Sequence, residues 1–65
     1  MKIRYFKDTD TMLIEFRDAE VAETRELDEN TYMDVDAIGN ICSITIEHAS
    51  TRADAPKVTY EQVAA

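Results

Sequence analysis

The chain has 65 residues, with fourteen acids against seven bases, a formal charge of −7, and one residue each of Cys, His, Gly and Pro. A single Cys42 and a single His48 exclude an internal disulfide and a four-ligand zinc site. The charge argues against unaided binding to nucleic-acid phosphate or to an anionic membrane surface, and favours a basic partner. Such a length makes one domain, residues 1–65, whose core is marginal, since a chain this short hides only about 60% of its unfolded surface. With disulfide and metal ruled out, self-association is the remaining way to hide more, so a homo-oligomer is expected, a dimer first.

The first elements read as a hairpin. Ile3 and Tyr5 alternate with Lys2 and Arg4, and Met12, Ile14 and Phe16 alternate with Thr11, Leu13 and Glu15, the period of half-buried strands. Between them Lys7-Asp8-Thr9-Asp10 suits a turn, because Asp side chains bond their own backbone. A four-residue loop pairs Phe6 with Thr11, Tyr5 with Met12, Ile3 with Ile14 and Lys2 with Glu15. Apolar then meets apolar and opposite charges meet, and a one-residue slip would spoil both. The N-terminus scatters charges among its apolar residues and lacks the uninterrupted segment of a signal peptide. No later stretch reaches the length of a membrane span, which with the lone thiol points to the cytoplasm.

Residues 17–20 are a polar link, and residues 21–27 (VAETREL) are a poor strand with Glu23, Arg25 and Glu26 among few apolar residues. A short charged strand is how a protein blunts a sheet edge. Residues 31–46 (TYMDVDAIGNICSITI) form the strongest strand signal, two β-rich runs folded back at the only glycine, Gly39. Asp36 suits the first position of a type I turn, and Gly39 the left-handed position that closes a bulge. Counting outward pairs Asp36 with Asn40, Asp34 with Cys42 and Tyr32 with Ile44, with Met33, Val35 and Ile41 on the opposite face. Both faces then carry apolar residues and need cover, one from a helix and the other from a second subunit.

After Ile46 the pattern changes. Residues 47–54 (EHASTRAD) are weakly helix-compatible, and Pro56 interrupts them. Thr59-Tyr60-Glu61-Gln62 matches a capping box, with Val58 and Val63 as its hydrophobic staple, which predicts a helix of one or two turns over residues 60–65. The fold class expected is α+β: a five-strand antiparallel meander with one or two short C-terminal helices.

An opening strand ending in Tyr5, then Asp8-x-Asp10, Met12, Ile14 and Phe16, followed by Asp34-x-Asp36-x-x-Gly39, Ile41, Ile44-x-Ile46 and Ala49-Ser50, resembles the YuzE-like family of small bacterial proteins of unknown function. The resemblance covers residues 2–50, is spread over many weak positions, and leaves the tail beyond Arg52 outside. Ile38 stands where that family usually has a polar residue, and Ser43 where a small Gly is common. The resemblance implies a compact antiparallel sheet with a helical C-terminal portion and no established activity. Some members lie beside genes for small ribonuclease-like toxins, which implies an antitoxin-like role.

Catalytic and ligand patterns fail on their own terms. Asp34-x-Asp36 with Gly39 starts like a calcium loop, but its fifth position is Ile38 and its twelfth Thr45, neither able to close it. Asp8-x-Asp10 reads as a pair of turn formers. Cys42 and His48 are the one nucleophile–base pair. On a straight strand six residues span about 20 Å, beyond hydrogen-bond reach. If the chain turns back after Ile46 to bring them together, no third orienting group or oxyanion cradle accompanies them. Tyr5, Phe6, Phe16, Tyr32 and Tyr60 lack the flanking Lys and Arg of a nucleic-acid stacking surface. No enzyme activity, cofactor or metal is expected. Acids crowd residues 18–36, with Arg25 the one base. An edge strand there would offer free backbone groups beside carboxylates, so the expected partner-binding residues are Glu20, Glu23, Glu26, Asp28 and Glu29, for a basic protein adding a strand. The alternative is a structural homo-oligomeric domain without a ligand.

Overall fold

The structure, a computed structural model, describes residues 1–64. Five strands, β1 (Lys2–Phe6), β2 (Thr11–Glu15), β3 (Glu23–Asp28), β4 (Thr31–Val35) and β5 (Ile41–Ile46), are followed by one short helix, α1 (Ala49–Arg52). The strands make a single antiparallel sheet in the order β1-β2-β5-β4-β3. The protein is therefore a mostly β, open sheet. Among the described residues no helix is long and apolar enough to cross a membrane.

The expected meander is corrected by that order. A meander would set β3 beside β2, whereas β5 holds that place and β3 lies at the far edge. The reason is chemical. A central strand needs apolar side chains facing both neighbours, and β5 supplies Ile44 and Ile46 opposite Ile14 and Met12. The sequence of β3, ETRELD, is exposed along its whole length and tolerates only the edge. Residues 16–22 carry the chain across the end of the sheet. On the way, the amides of Phe16 and Arg17 donate to the Cys42 carbonyl (2.8 and 3.3 Å) and that of Ala22 to the Val35 carbonyl (2.9 Å). Cys42 and Val35, where this crossing docks, are each only 2% exposed.

The first hairpin has the expected register throughout, Phe6 opposite Thr11 to Lys2 opposite Glu15. The second departs from it. Asp36 and Asn40 pair as expected, the Asp36 amide donating to the Asn40 carbonyl (2.9 Å), and Gly39 has φ 90°, which only glycine adopts freely. Beyond the turn, Val35 faces Ile41 but Asp34 faces Ser43, so Cys42 is an extra, bulged residue. Tyr32 then faces Thr45, and Met33, not Tyr32, faces Ile44.

That one-residue shift also corrects the expectation of two apolar faces. Directly opposed residues share a face. A middle row of Ile3, Ile14, Ile44 and Met33 runs across β1, β2, β5 and β4, with Tyr5, Met12, Ile46 and Thr31 as the row beside it. The other face carries Arg4, Leu13, Thr45 and Tyr32 in one row and Glu15, Ser43, Asp34 and Thr24 in another. One face is apolar and the other predominantly polar.

Helix α1 clasps the sheet at the end where the β1–β2 and β3–β4 turns lie. The amide of Ala49, which is wholly buried, donates to the Asp10 carbonyl in the β1–β2 turn (2.9 Å). From the other end of α1, Arg52 donates to Thr31 Oγ1 and Asp28 Oδ2, both at 2.7 Å, at the β3–β4 turn. The helix expected over residues 60–65 is absent through residue 64, and Ala65 lies outside the described residues. Val58 and Val63 are both exposed, so no staple forms; a helix of so few residues is unstable without a surface to pack on.

Candidate functional site

The five carboxylates singled out for partner contact fall on one margin of the molecule, with unequal freedom. Glu20 is exposed in the crossing link, and Glu29 is exposed in the β3–β4 turn. Glu23 opens β3 and is ion-paired with Arg25 at 3.3 Å, both side chains more than half exposed, a pair of small energetic weight. Glu26 sits mid-strand opposite Tyr32. Asp28 is engaged: it accepts the Asn30 amide (2.9 Å) and pairs with Arg52 at 2.7 Å. The Asn30 amide first, and then the neighbouring Thr31 and Arg52, hold its carboxyl below the ordinary carboxylate value. Four of the five are thus open, and the fifth is held by the protein's own helix.

The strand that carries them is available as a template. Among the described residues β3 has β4 as its one neighbour, so alternate N–H and C=O groups along its outer side have no ladder partner. Register shifts between Glu26 and Asp28, where Leu27 forms a bulge that bends the strand just before its turn.

Sequence reasoning missed Glu47. The shifted register places Tyr32 opposite Thr45, and Glu47, two residues on, comes beside the Tyr32 hydroxyl. A hydrogen bond to Glu47, the charge on that group, and then Glu26 and Asp28 raise the Tyr32 phenol above its ordinary value. The acidic margin therefore includes a carboxylate from the residue that follows β5 as well as those of the 18–36 segment. The signal for it was the pairing of Met33 with Ile44, apolar upon apolar, which a bulge at Cys42 permits.

The other acidic pairs are structural. Asp10 has φ 53° and its carboxylate accepts from the Tyr5 hydroxyl (2.5 Å), the Ser50 hydroxyl (2.7 Å) and the Ser50 amide (3.1 Å). Those donors, Tyr5 first, hold the Asp10 carboxyl low, and the bond to Asp10 in turn pushes the Tyr5 phenol up. Asp34 accepts from Thr24 (2.5 Å) and Ser43 (2.7 Å), linking three strands on the polar face. Asp36 Oδ1 accepts the amides of Asn40 (2.9 Å) and Ile38 (3.1 Å). The Asn40 amide, with Ile38 and Arg17 adding to it, holds Asp36 low. Asp10, Asp34 and Asp36 are thus each engaged by the fold, Asp10 and Asp36 as turn formers.

Cys42 is buried at the start of β5, and His48 is exposed beyond its end with φ 54°. Among the described residues no group of three or more His, Cys, Asp or Glu side chains is placed to hold a metal ion. One concavity, about 560 Å³, is an open groove that includes Lys2, Arg4, Glu15, Arg17 and Asp18. Three bases against two acids leave it slightly basic, with Arg4 3.7 Å from Glu15. The aromatics do not converge on a platform: Tyr5 and Tyr32 lie on opposite faces by register, and Tyr60 projects from the tail.

No curated protein and no solved structure matches the chain. A family model, DUF2283, described as a protein of unknown function, matches residues 2–50, a span that contains the whole sheet and the start of α1. The lock between Tyr5, Asp10 and Ser50 and the turn from Asp36 to Gly39 both fall inside it. On that match the chain belongs to the DUF2283 family, proteins of unknown function.

Proposed function

We propose that this domain is a non-enzymatic protein-binding module whose β3 edge takes up a strand from a basic partner. The observation that carries the reading is the coincidence of an open, fully exposed edge strand with exposed carboxylates, Glu20, Glu23, Glu26 and Glu29. Among the described residues only Glu23 of these four has a side-chain ion pair, and the half-buried Glu47 lies beside them. Backbone hydrogen bonds to the free edge would supply affinity, and the carboxylates would select for Lys and Arg and speed encounter. Asp28 contributes less than its neighbours because Arg52 already compensates it.

The YuzE-like resemblance gives the partner its most concrete form, a small basic ribonuclease toxin that this protein would hold as an antitoxin does. Co-purification with the product of the adjacent gene tests it. A small basic protein is expected in the complex, and its affinity should fall when Glu20, Glu23, Glu26 and Glu29 are reversed to Lys with Asp28 left intact. If no such protein is retained, the antitoxin form is lost. If one is retained with affinity indifferent to the four reversals, the acidic edge is the wrong surface.

A further inference from the structure

We infer that the apolar face of the sheet is a self-association surface, covered by the same face of a second copy in a two-layer sandwich. This rests on a different part of the molecule from the β3 edge. The middle row Ile3, Ile14, Ile44 and Met33 is half-buried or more exposed, Ile3 reaching 40%. Among the described residues the buried apolar ones are Met12, Val35, Cys42 and Ala49, positioned where α1 and the crossing link reach the sheet. Between those two covers the row is left open.

Area and charge together select a second copy as the occupant. A folded monomer of 7.4 kDa exposes about 4,200 Å². This chain exposes 5105 Å², an excess of about 900 Å² that the open face shares with the extended tail. A standard interface hides about 800 Å² per partner, comparable with the whole of that excess, of which the face supplies a part. Two chains of charge −7 can meet only through a surface that carries little of that charge. By register the charged residues on the apolar face are Glu23, Arg25 and Asp28; Glu23 pairs with Arg25 and Asp28 with Arg52. A face that is apolar and locally neutral suits its own copy under two-fold symmetry and offers nothing to attract a basic partner.

Sedimentation equilibrium of the purified protein over a range of concentrations tests the inference. Twice the 7.4 kDa chain mass is expected, with Ile3→Lys returning the monomer mass while the far-ultraviolet circular dichroism is unchanged. Because a lysine in β1 can also unfold the chain, the wild-type protein supplies a second readout. With a soluble paramagnetic agent, the methyl signals of Ile3, Ile14 and Ile44 should be shielded while those of Ile38, 83% exposed, are bleached. A wild-type monomer at every concentration overturns the inference. So does a chain truncated after Arg52 that dimerises where the full chain does not, since the tail would then be the occupant. A dimer indifferent to Ile3→Lys but abolished by Arg25→Pro would mean edge pairing through β3, and overturns it as well. Glu26→Lys, which alters the β3 edge from the opposite face, leaves the mass unchanged if the apolar face is the interface, so this result stands or falls apart from the partner-binding proposal.

Discussion

Val35 is the largest fully buried side chain and sits where the crossing link docks, so Val35→Ala probes how much of the sheet depends on that closure. The substitution removes two methyl groups, worth about 0.8 kcal/mol each in transfer. A residual cavity adds about 24 cal/mol per Å³, so about 30 Å³ contributes about 0.7 kcal/mol. The expected loss is about 2.3 kcal/mol. A domain of this length has roughly 3–10 kcal/mol in total, so the change is a large fraction. It corresponds to a fall in Tm of about 9–18 °C for a small domain. Thermal and urea denaturation at one fixed protein concentration measure it, with Ile38→Ala as the exposed control, expected to move stability by less than about 0.5 kcal/mol. A Val35→Ala variant as stable as its Ile38→Ala control would refute the claim that the link closes a core at this end.

Gly39→Ala should cost about 1–2 kcal/mol, because φ is 90° and no atom lies near the added methyl; the loss is conformational, and a neutral result in urea titration would contradict it. Stability should fall as pH drops below the ordinary carboxylate value of 3.8, since the folded-state lowering at Asp10, Asp28 and Asp36 contributes above that value and is lost through the lowered one. Asp10→Asn should flatten part of this acid limb in Tm-versus-pH scans; an unchanged slope would remove Asp10 as a contributor. At the alkaline end the raised Tyr5 phenol makes its contribution below pH 10 and loses it as pH rises further, and Tyr5→Phe should abolish that loss. Arg52→Ala frees Asp28 and takes the formal charge from −7 to −8, so a basic peptide should bind more tightly at low salt by titration calorimetry; unchanged or weaker binding would show that Asp28 lies outside the contact surface.

The first hairpin was readable down to its register because alternation, turn residues and the Lys2–Glu15 charge pair all selected one pairing. The bend from Asp36 to Gly39 was readable for the same reason. What alternation could not expose was an added residue. Counting outward from a turn assumes an unbroken ladder, and the bulge at Cys42 moved every later pair by one, converting two apparently apolar faces into one. Strand order escaped for another reason. A charged β3 belongs at an edge, and a five-strand meander would have buried it at the centre; those two expectations conflict, and packing resolves the conflict by placing β5 against β2. The capping-box sequence near the C-terminus is a local signal, and no tertiary surface receives the helix it would start. Of the site, the acids were legible in composition. The compensation of Asp28 by Arg52 and the addition of Glu47 were not, because both depend on segments that meet only in three dimensions.

The two proposed surfaces make opposite demands on salt, which separates them in one measurement. A strand added at β3 extends the sheet within its plane, whereas a second copy packs on the apolar face out of plane, so one molecule can do both. Partner capture relies on attraction between carboxylates and a basic chain, which screening weakens beyond a Debye length of about 10 Å at 0.1 M salt. Dimerisation brings together two chains of charge −7 across a neutral apolar contact, so the same screening reduces repulsion and tightens it. Raising salt should therefore strengthen the dimer while weakening a complex with a basic peptide. Should both weaken together, the carboxylates of β3 would belong to the dimer contact, and the assignment of self-association to the face and of partner binding to the edge would have to be exchanged.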